Sequence, residues 1–206
     1  EAALAAWARF RAESLAGYAV DRDRPDLDTT SRLSPYLALG ALHPRTLLAD
    51  LAGLDGDGPE KFVSERAWRE FCADLLWRHP GSVTADLTPA LAGLAYDEPD
   101  GRFEAWRAGR TGYPLVDAGM RQLQRQGWMH NRVRMVTASF LIKDLHLAWQ
   151  HGAEHFRRLL IDFDEASNAH NWQWVAGTGA DAAPYLRVFN PVLQSEAVDP
   201  DGDYVR

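Results

Sequence analysis

The chain has 206 residues, of which 46 % are apolar and 8 are Trp, and this is enough for a sizeable hydrophobic core. Because the sequence contains no apolar run of about 18 residues, no membrane partner is expected. The net charge of −7 argues against general affinity for nucleic acid, although a local basic cleft on an acidic surface stays open. Cys72 is the only cysteine, which excludes an internal disulfide or a cysteine-ligated iron–sulfur cluster and favours a reducing, cytoplasmic location.

Helical periodicity dominates the sequence. The predicted helices cover about residues 2–20, 34–40, 44–53, 59–78, 114–127, 131–149, 154–160 and 165–176. The apolar stripe predicted for the helix at 59–78 is Val63, Ala67, Phe71 and Leu75. The tail at 178–206 is predicted to be loop with brief strand-like pieces. Because there is no internal repeat and no βαβ alternation, the sequence predicts an all-α fold in one domain.

A hydroxyl-rich stretch, TTSRLSP at residues 29–35, comes just before a predicted helix start. Ser34 is predicted to cap that helix, with Pro35 at its first position. Backbone N–H groups and the positive helix end favour an anion at such a place. The stretch is therefore either an ordinary capped turn or a diphosphate cradle.

Two further clusters combine charge with aromatic or polar groups. Glu65, Trp68 and Arg69 share one face of the helix at 59–78, either as a binding face or as a core Trp beside a surface ion pair. The stretch HNRVRM at 130–135 opens the next long helix and on its own is typical of a solvated face.

The segment DFDEASNAHNWQW at residues 162–174 crowds carboxylates, an amide and two indoles together. Asp164 is predicted to cap its helix and Gly177 to end it. Asn168 and Trp172 are four residues apart and share a face, whereas Trp174 points to a separate site. The arrangement suits an aromatic redox cofactor with a second flat ligand nearby, or a Trp-rich helix buried in a core.

Two motif matches do not predict a binding site, one for a dinucleotide and one for a metal ion. GTGADA at 177–182 fits the G-x-G-x-x-A dinucleotide pattern but follows a predicted helix rather than a strand. His151 and His155 are four apart, yet no third metal ligand is evident nearby, so a solvated face and no metal site are expected.

Five motifs occur together in order: TSRLSPYLALGALHPR, WREF, TGYPLVDAGMRQL, GWMHNRVRM and NWQW followed by GTGADAAPY. They resemble the FAD-binding helical domain of the photolyase/cryptochrome family, most closely microbial cyclobutane pyrimidine dimer photolyases. The resemblance implies a carbon–carbon lyase, a deoxyribodipyrimidine photo-lyase, that passes an electron in light from reduced FAD to a flipped-out dimer in UV-damaged DNA. The alternative is a cryptochrome-like blue-light photoreceptor that binds FAD without repair; Asn168 favours the photolyases over plant-type photoreceptors.

The resemblance also implies roles for particular residues. Those matching FAD contacts are Tyr18, Thr30, Ser31, Arg32, Leu33, Ser34, Arg134, Asp162, Phe163, Asp164 and Asn168. Arg134 would pair with Asp162, and the Asn168 amide would face flavin N5. Those matching lesion or DNA contacts are Arg22, Glu65, Trp68, Arg69, Asn131, Arg132, Met135, Trp174 and Arg187. Trp172 and Trp149 match two members of an electron chain whose third, surface member falls on Tyr96.

For the domain organisation, the resemblance implies that residues 1–206 form a single helical FAD-binding and catalytic domain. We expect the family's N-terminal α/β antenna domain to be absent from this chain and helical sequence to continue beyond residue 206. A monomer is expected.

Overall fold

The computed structural model describes residues 1–91, 93–181 and 187–206. Its α-helices are, in chain order, α1 Ala2–Glu13, α2 Tyr18–Asp21, α3 Ser34–Ala38, α4 Pro44–Leu51, α5 Asp57–Arg78, α6 Gly101–Arg107, α7 Pro114–Gln126, α8 Asn131–Ser139, α9 Trp149–Leu159, α10 Glu165–Ala176 and α11 Pro191–Val198. Across these ranges no strand forms beyond one isolated bridge between Asp97 and Leu147. The predicted all-α class is therefore confirmed. None of the helices described is both long and apolar enough to cross a membrane.

Helix α10 begins and ends as predicted. The Asp164 carboxylate accepts the backbone N–H of Ser167 at 2.8 Å and thereby caps the first turn. Gly177 follows the helix in the left-handed conformation with φ 87°, which a residue with a side chain rarely adopts. Both ends are fixed by local chemistry, so the side chains of α10 have a defined register.

Two predicted helices are each divided in the structure. The helix predicted at 2–20 breaks between α1 and α2, where the poor helix formers Ser14 and Gly17 lie. The helix predicted at 131–149 ends as α8 and passes through a π-helical turn at Phe140–Asp144, after which Trp149 begins α9. Trp149 therefore starts a helix rather than ending one.

The tail prediction is also wrong, because Pro191–Val198 forms α11. The side chain of Asn190 accepts the N–H groups of Val192 and Leu193 at 3.0 and 3.1 Å, and Pro191 takes the first helical position. An Asn-Pro pair favours a loop as well as a helix start, and here Asn190-Pro191 starts a helix.

The hydrophobic core has two parts. The larger cluster is built mainly from α6 to α10 and includes Trp106, Met120 and Trp172. The smaller one joins α1 to α5. Helix α5 buries Phe62 and Cys72, whereas three of the four stripe residues predicted for it, Val63, Ala67 and Phe71, are exposed. The predicted stripe is wrong because α5 turns a different face to its neighbours.

Candidate functional site

A cavity of about 580 Å³ is lined by residues of both core clusters. That volume lies within the range of about 300–1,000 Å³ typical of small-molecule and cofactor sites. The candidate residues that line it are Tyr18, Arg22, Thr30, Ser31, Arg32, Leu33, Ser34, Glu65, Trp68, Arg69, Asn131, Arg134, Met135, Asp162, Asp164, Asn168, Trp172 and Trp174. Residues that are far apart in sequence and were singled out separately thus meet in one place.

Five candidates lie outside the cavity lining. Phe163 packs against the larger core cluster, and Trp149 is buried within it. Arg132 pairs with Asp23. Arg187 is exposed and lies over the ring of Phe189. Tyr96, the fifth, packs against the larger cluster from its edge.

The hydroxyl-rich stretch forms one wall of the cavity. Arg32 has a left-handed backbone with φ 49°, a conformation that costs energy in a residue with a side chain and is enriched at functional sites. Its guanidinium lies 4.5 Å over the ring of Trp128, whose Nε1 donates to Ser34 Oγ at 3.4 Å. Ser34 is the first residue of α3 and makes no capping bond, so the predicted Ser34 cap is wrong. The strained turn favours the cradle interpretation over an ordinary capped turn.

A buried ion pair also lines the cavity. Arg134 donates through its terminal guanidinium nitrogen to Asp162 Oδ2 at 2.8 Å and through Nε to the carbonyl of Met129 at 2.8 Å. The Asp162 side chain is only 1 % exposed, and its Oδ1 has no hydrogen-bond partner among the described residues. Because buried carboxylate oxygens are costly to leave unpaired, this oxygen is suited to receive a donor from a ligand.

Helix α10 contributes an amide and two indoles to the same cavity. The Asn168 side-chain amide donates to the carbonyl of Ala153 at 3.1 Å, which fixes its orientation. The Trp172 ring packs where Gly152 of α9 has no side chain, since an added Cβ would collide with the indole. Trp174 lines this cavity too, so the predicted separate site for Trp174 is wrong. The cavity extends far enough around α10 to reach both sides of the helix.

Helix α5 places the exposed indole of Trp68 on the cavity lining. Trp68 is 47 % exposed, so the alternative of a core Trp does not hold. Glu65 Oε1 accepts from Arg22 at 2.7 Å and from Lys61 at 3.3 Å, while Arg69 pairs with Glu70 and reaches Asp164 at 3.7 Å. Glu65, Trp68 and Arg69 therefore all line the cavity, but Arg69 pairs with Glu70 and Asp164 and not with Glu65.

The three candidates for electron transfer have distinct surroundings. Trp172 contacts the rings of Phe156 at 5.0 Å and Trp106 at 6.4 Å. Trp149 donates its Nε1–H to Asp86 Oδ1 at 2.8 Å. Tyr96 lies 5.5 Å, ring to ring, from His146.

The imidazole of His146 is in turn close to a carboxylate, with its Nδ1 3.6 Å from Asp97 Oδ1. The N–H of Asp97 also donates to the carbonyl of His146 at 2.9 Å, which holds the two segments together. The His146 imidazole therefore lies between the Tyr96 ring and the Asp97 carboxylate.

Other residues of the cavity lining were not predicted from the sequence, among them Arg66, Trp128, Phe156 and Asn171. Trp128 lies inside a quoted motif and Asn171 is three residues after Asn168, so a helical-face argument could have included both. Arg66 and Phe156 carry no such signal, because only tertiary packing brings them to the cavity.

The two discarded motifs have other environments. GTGADA begins at Gly177, the residue directly after α10, so a helix and not a strand precedes the motif. The last residue of GTGADA and the rest of GTGADAAPY fall outside the described residues. His155 is buried against Trp106 rather than solvated as expected, and burial lowers the pKa of His155 to about 4. Within residues 1–91, 93–181 and 187–206, no group of three or more His, Cys, Asp or Glu could hold a metal ion.

Comparison with known proteins agrees with this geometry. Residues 62–206 match the family model described as the FAD binding domain of DNA photolyase. The chain is 48 % identical over 197 residues to the deoxyribodipyrimidine photo-lyase of Agrobacterium fabrum, covering 94 % of this chain and 41 % of the relative. It is 47 % identical over 206 residues to a deoxyribodipyrimidine photo-lyase of Thermus thermophilus, covering 100 % of this chain and 49 % of the relative.

Solved structures of a photolyase and a cryptochrome share the fold of this chain. The crystal structure of a class III photolyase from Agrobacterium tumefaciens superposes with a TM-score of 0.96 at 47 % identity, covering 99 % of this chain and 43 % of that one. A cryptochrome from Synechocystis superposes with a TM-score of 0.92 at 37 % identity, covering 100 % and 44 %. The chain thus spans less than half the length of each of these relatives.

Proposed function

Since the chain belongs to the family of FAD binding domains of DNA photolyase, we propose that it holds FAD in its cavity and repairs cyclobutane pyrimidine dimers in UV-damaged DNA. It would then act as a deoxyribodipyrimidine photo-lyase. The observation that carries the proposal is one cavity lined by an anion cradle, a buried carboxylate with an unused oxygen, and an exposed indole. When bound and reduced, FAD supplies the electron that opens the dimer in light.

The residues present fit such a cofactor. Thr30, Ser31 and Ser34 offer hydroxyl donors to a diphosphate, and Arg32 offers a guanidinium beside them. Asp162 Oδ1 has no partner among the described residues and would accept an N–H or O–H from the flavin or its ribityl chain. Asn168 can serve a flavin nitrogen as donor or acceptor without adding charge.

The lesion would be received between indoles. Flipping a damaged dinucleotide out of the duplex costs a few kcal/mol, and stacking on an aromatic ring returns about 1–3 kcal/mol per base. Trp68 and Trp174 line the cavity and are suited to this role. Glu65 uses Oε1 for both of its cations, and we propose that Oε2 serves the lesion.

The backbone of damaged DNA would bind through Arg22, Arg69, Arg132 and Arg187, with Asn131 and Met135 as further contacts. Arg22, Arg69 and Arg132 each pair with a carboxylate in the structure, so binding phosphate must compete with those pairs. This competition, together with the negative net charge, suggests weak binding to undamaged duplex.

Electrons for the cofactor would come from within the protein. We propose that Trp172 is the innermost donor, that Trp149 refills it, and that Tyr96 ends the relay. Oxidation of Tyr96 requires loss of its phenolic proton, and we propose the imidazole of His146, whose ring lies beside the Tyr96 ring, as the acceptor.

A photoreceptor without repair activity is the second candidate, supported by the similarity to the Synechocystis cryptochrome. A flavin absorbance spectrum tests cofactor binding, and binding to dimer-containing against undamaged duplex tests lesion recognition. A protein that holds FAD but does not distinguish the two duplexes would favour the photoreceptor.

We further propose that residues 1–206 act as a single catalytic domain, as a monomer, in the cytoplasm. The support is the free, buried thiol of Cys72, which suits a reducing compartment. Size-exclusion chromatography with light scattering tests the monomer.

A further inference from the structure

Arg66 is a half-buried cation on the lining of the cavity. Its guanidinium lies on the cavity lining, 5.0 Å over the ring of Phe62. Its Nε is buried without a hydrogen-bond partner in the described part of the chain. Burial lowers the pKa of Arg66, in line with the cost of removing its charge from water. Such a group needs a counter-charge.

The neighbouring carboxylates are already shared. Glu65 Oε1 accepts from both Arg22 and Lys61. Asp23 pairs with Arg132 and also lies 4.0 Å from Arg22. Glu65, the carboxylate whose charge acts on Arg66, is therefore already shared by two other cations. The positive charge of Arg66 is thus left without a carboxylate of its own among the described residues.

The position of Arg66 also points to the phosphate end of a ligand. Phe62, over which it lies, packs against Tyr18 with ring centroids 5.4 Å apart. Phe62, Tyr18 and Leu33 belong to the same core cluster, and Leu33 is part of the hydroxyl-rich stretch. Arg66 therefore packs on the same core cluster as the hydroxyl-rich stretch, and both line the cavity.

We propose that Arg66 binds the diphosphate of FAD and thereby makes the cavity select a dinucleotide over riboflavin. This inference rests on the proposed binding of FAD. Arginine suits the role because its planar guanidinium presents several donors to phosphate oxygens and stays charged when buried.

The test compares Arg66→Leu with Arg78→Leu, a control at the exposed end of the same helix, where Arg78 pairs with Asp74. Apoprotein is titrated with FAD, riboflavin and ADP. We expect Arg66→Leu to weaken FAD and ADP about tenfold to a hundredfold while leaving riboflavin unchanged. Arg78→Leu should match the parent with all three.

Equal weakening of FAD and riboflavin would overturn the proposal, because it would show that Arg66 only supports the wall. Unchanged FAD with weaker DNA binding would also overturn it and assign the cation to a DNA phosphate. If Arg66→Leu fails to fold by circular dichroism, the FAD-to-riboflavin ratio of Arg66→Gln decides. If the parent protein itself does not bind FAD, the proposed function is contradicted. In that case ADP binding that depends on Arg66 would still support a diphosphate site, and a lack of such binding would overturn the proposal for Arg66.

Discussion

Arg134 and Asp162 form a buried ion pair that joins α8 to the segment before α10. The guanidinium binds only Oδ2, at 2.8 Å, and leaves Oδ1 unpaired within the described structure. Because the Met129 carbonyl holds the Nε of the same guanidinium, the carboxylate is fixed in position. The pair therefore holds a carboxylate in the cavity wall with one oxygen left to accept a hydrogen bond from the proposed cofactor.

Replacing Asp162 with Ala should damage stability and FAD binding together. Removal of one partner leaves a partly buried Arg134 without its counter-charge, which we expect to cost about 3 kcal/mol of unfolding free energy. Urea denaturation and FAD titration measure the two effects. Asp74→Ala, which removes an exposed partner of Arg78, is the control and should change neither. A stable Asp162→Ala protein with full FAD affinity would show that this wall does not hold the cofactor.

The cradle prediction concerns Ser31 and Arg32. A protein carrying both Ser31→Ala and Arg32→Ala should lose FAD during purification, because it lacks a hydroxyl and a cation of the strained turn. The matched control replaces Arg45 and Thr46, a guanidinium and a hydroxyl at the start of α4 that lie outside the cavity lining. Flavin occupancy is read from absorbance, and full occupancy in the Ser31/Arg32 variant would refute the cradle.

The electron-relay prediction separates cofactor reduction from repair. Trp172→Phe should abolish fast photoreduction of FAD while leaving repair intact when FAD is chemically reduced beforehand, because the donor is needed only in the first process. Tyr96→Trp should speed photoreduction, since an indole can be oxidised before its proton leaves, whereas a phenol must lose its proton. Transient absorption measures both rates.

Tyr96→Phe and Trp106→Phe locate the end of the relay. Trp106 is fully buried and lies 6.4 Å, ring to ring, from Trp172, so it is the competing route for an electron that reaches Trp172. We expect Tyr96→Phe to slow photoreduction and Trp106→Phe to leave it close to the parent rate. The reverse result would move the exit route to Trp106.

Much of the site could be read from local sequence, because caps and helical spacing set where Asp164, Asn168 and Trp172 point. The place of Arg66 on the cavity lining could not be read in the same way, since it depends on residues distant in sequence that line the cavity with it. The apolar periodicity around Phe140 likewise continued across a π-helical turn that breaks the helix. Local sequence patterns indicate which face of a helix is apolar, but they do not indicate which other element packs against that face.

The DNA prediction uses the ion pair between Arg132 and Asp23. Arg132→Ala should weaken duplex binding and flatten its dependence on salt by about one unit of slope, as expected for one lost phosphate contact. Asp23→Asn should tighten binding, because it frees the guanidinium from its competing carboxylate. Fluorescence anisotropy at several salt concentrations measures both. If neither substitution alters the slope, the DNA cleft lies elsewhere on the protein.

The most direct test of the central claim is the loss of thymine dimers from an oligonucleotide under near-UV light, with protein carrying chemically reduced FAD and a matched dark sample. We expect loss in light only. Trp68→Ala should need roughly tenfold more DNA for the same rate, since stacking on the indole is lost, whereas Trp77→Ala, 85 % exposed on the same helix, should match the parent. A protein that holds reduced FAD and absorbs the light but leaves the dimers intact at saturating DNA would contradict the account.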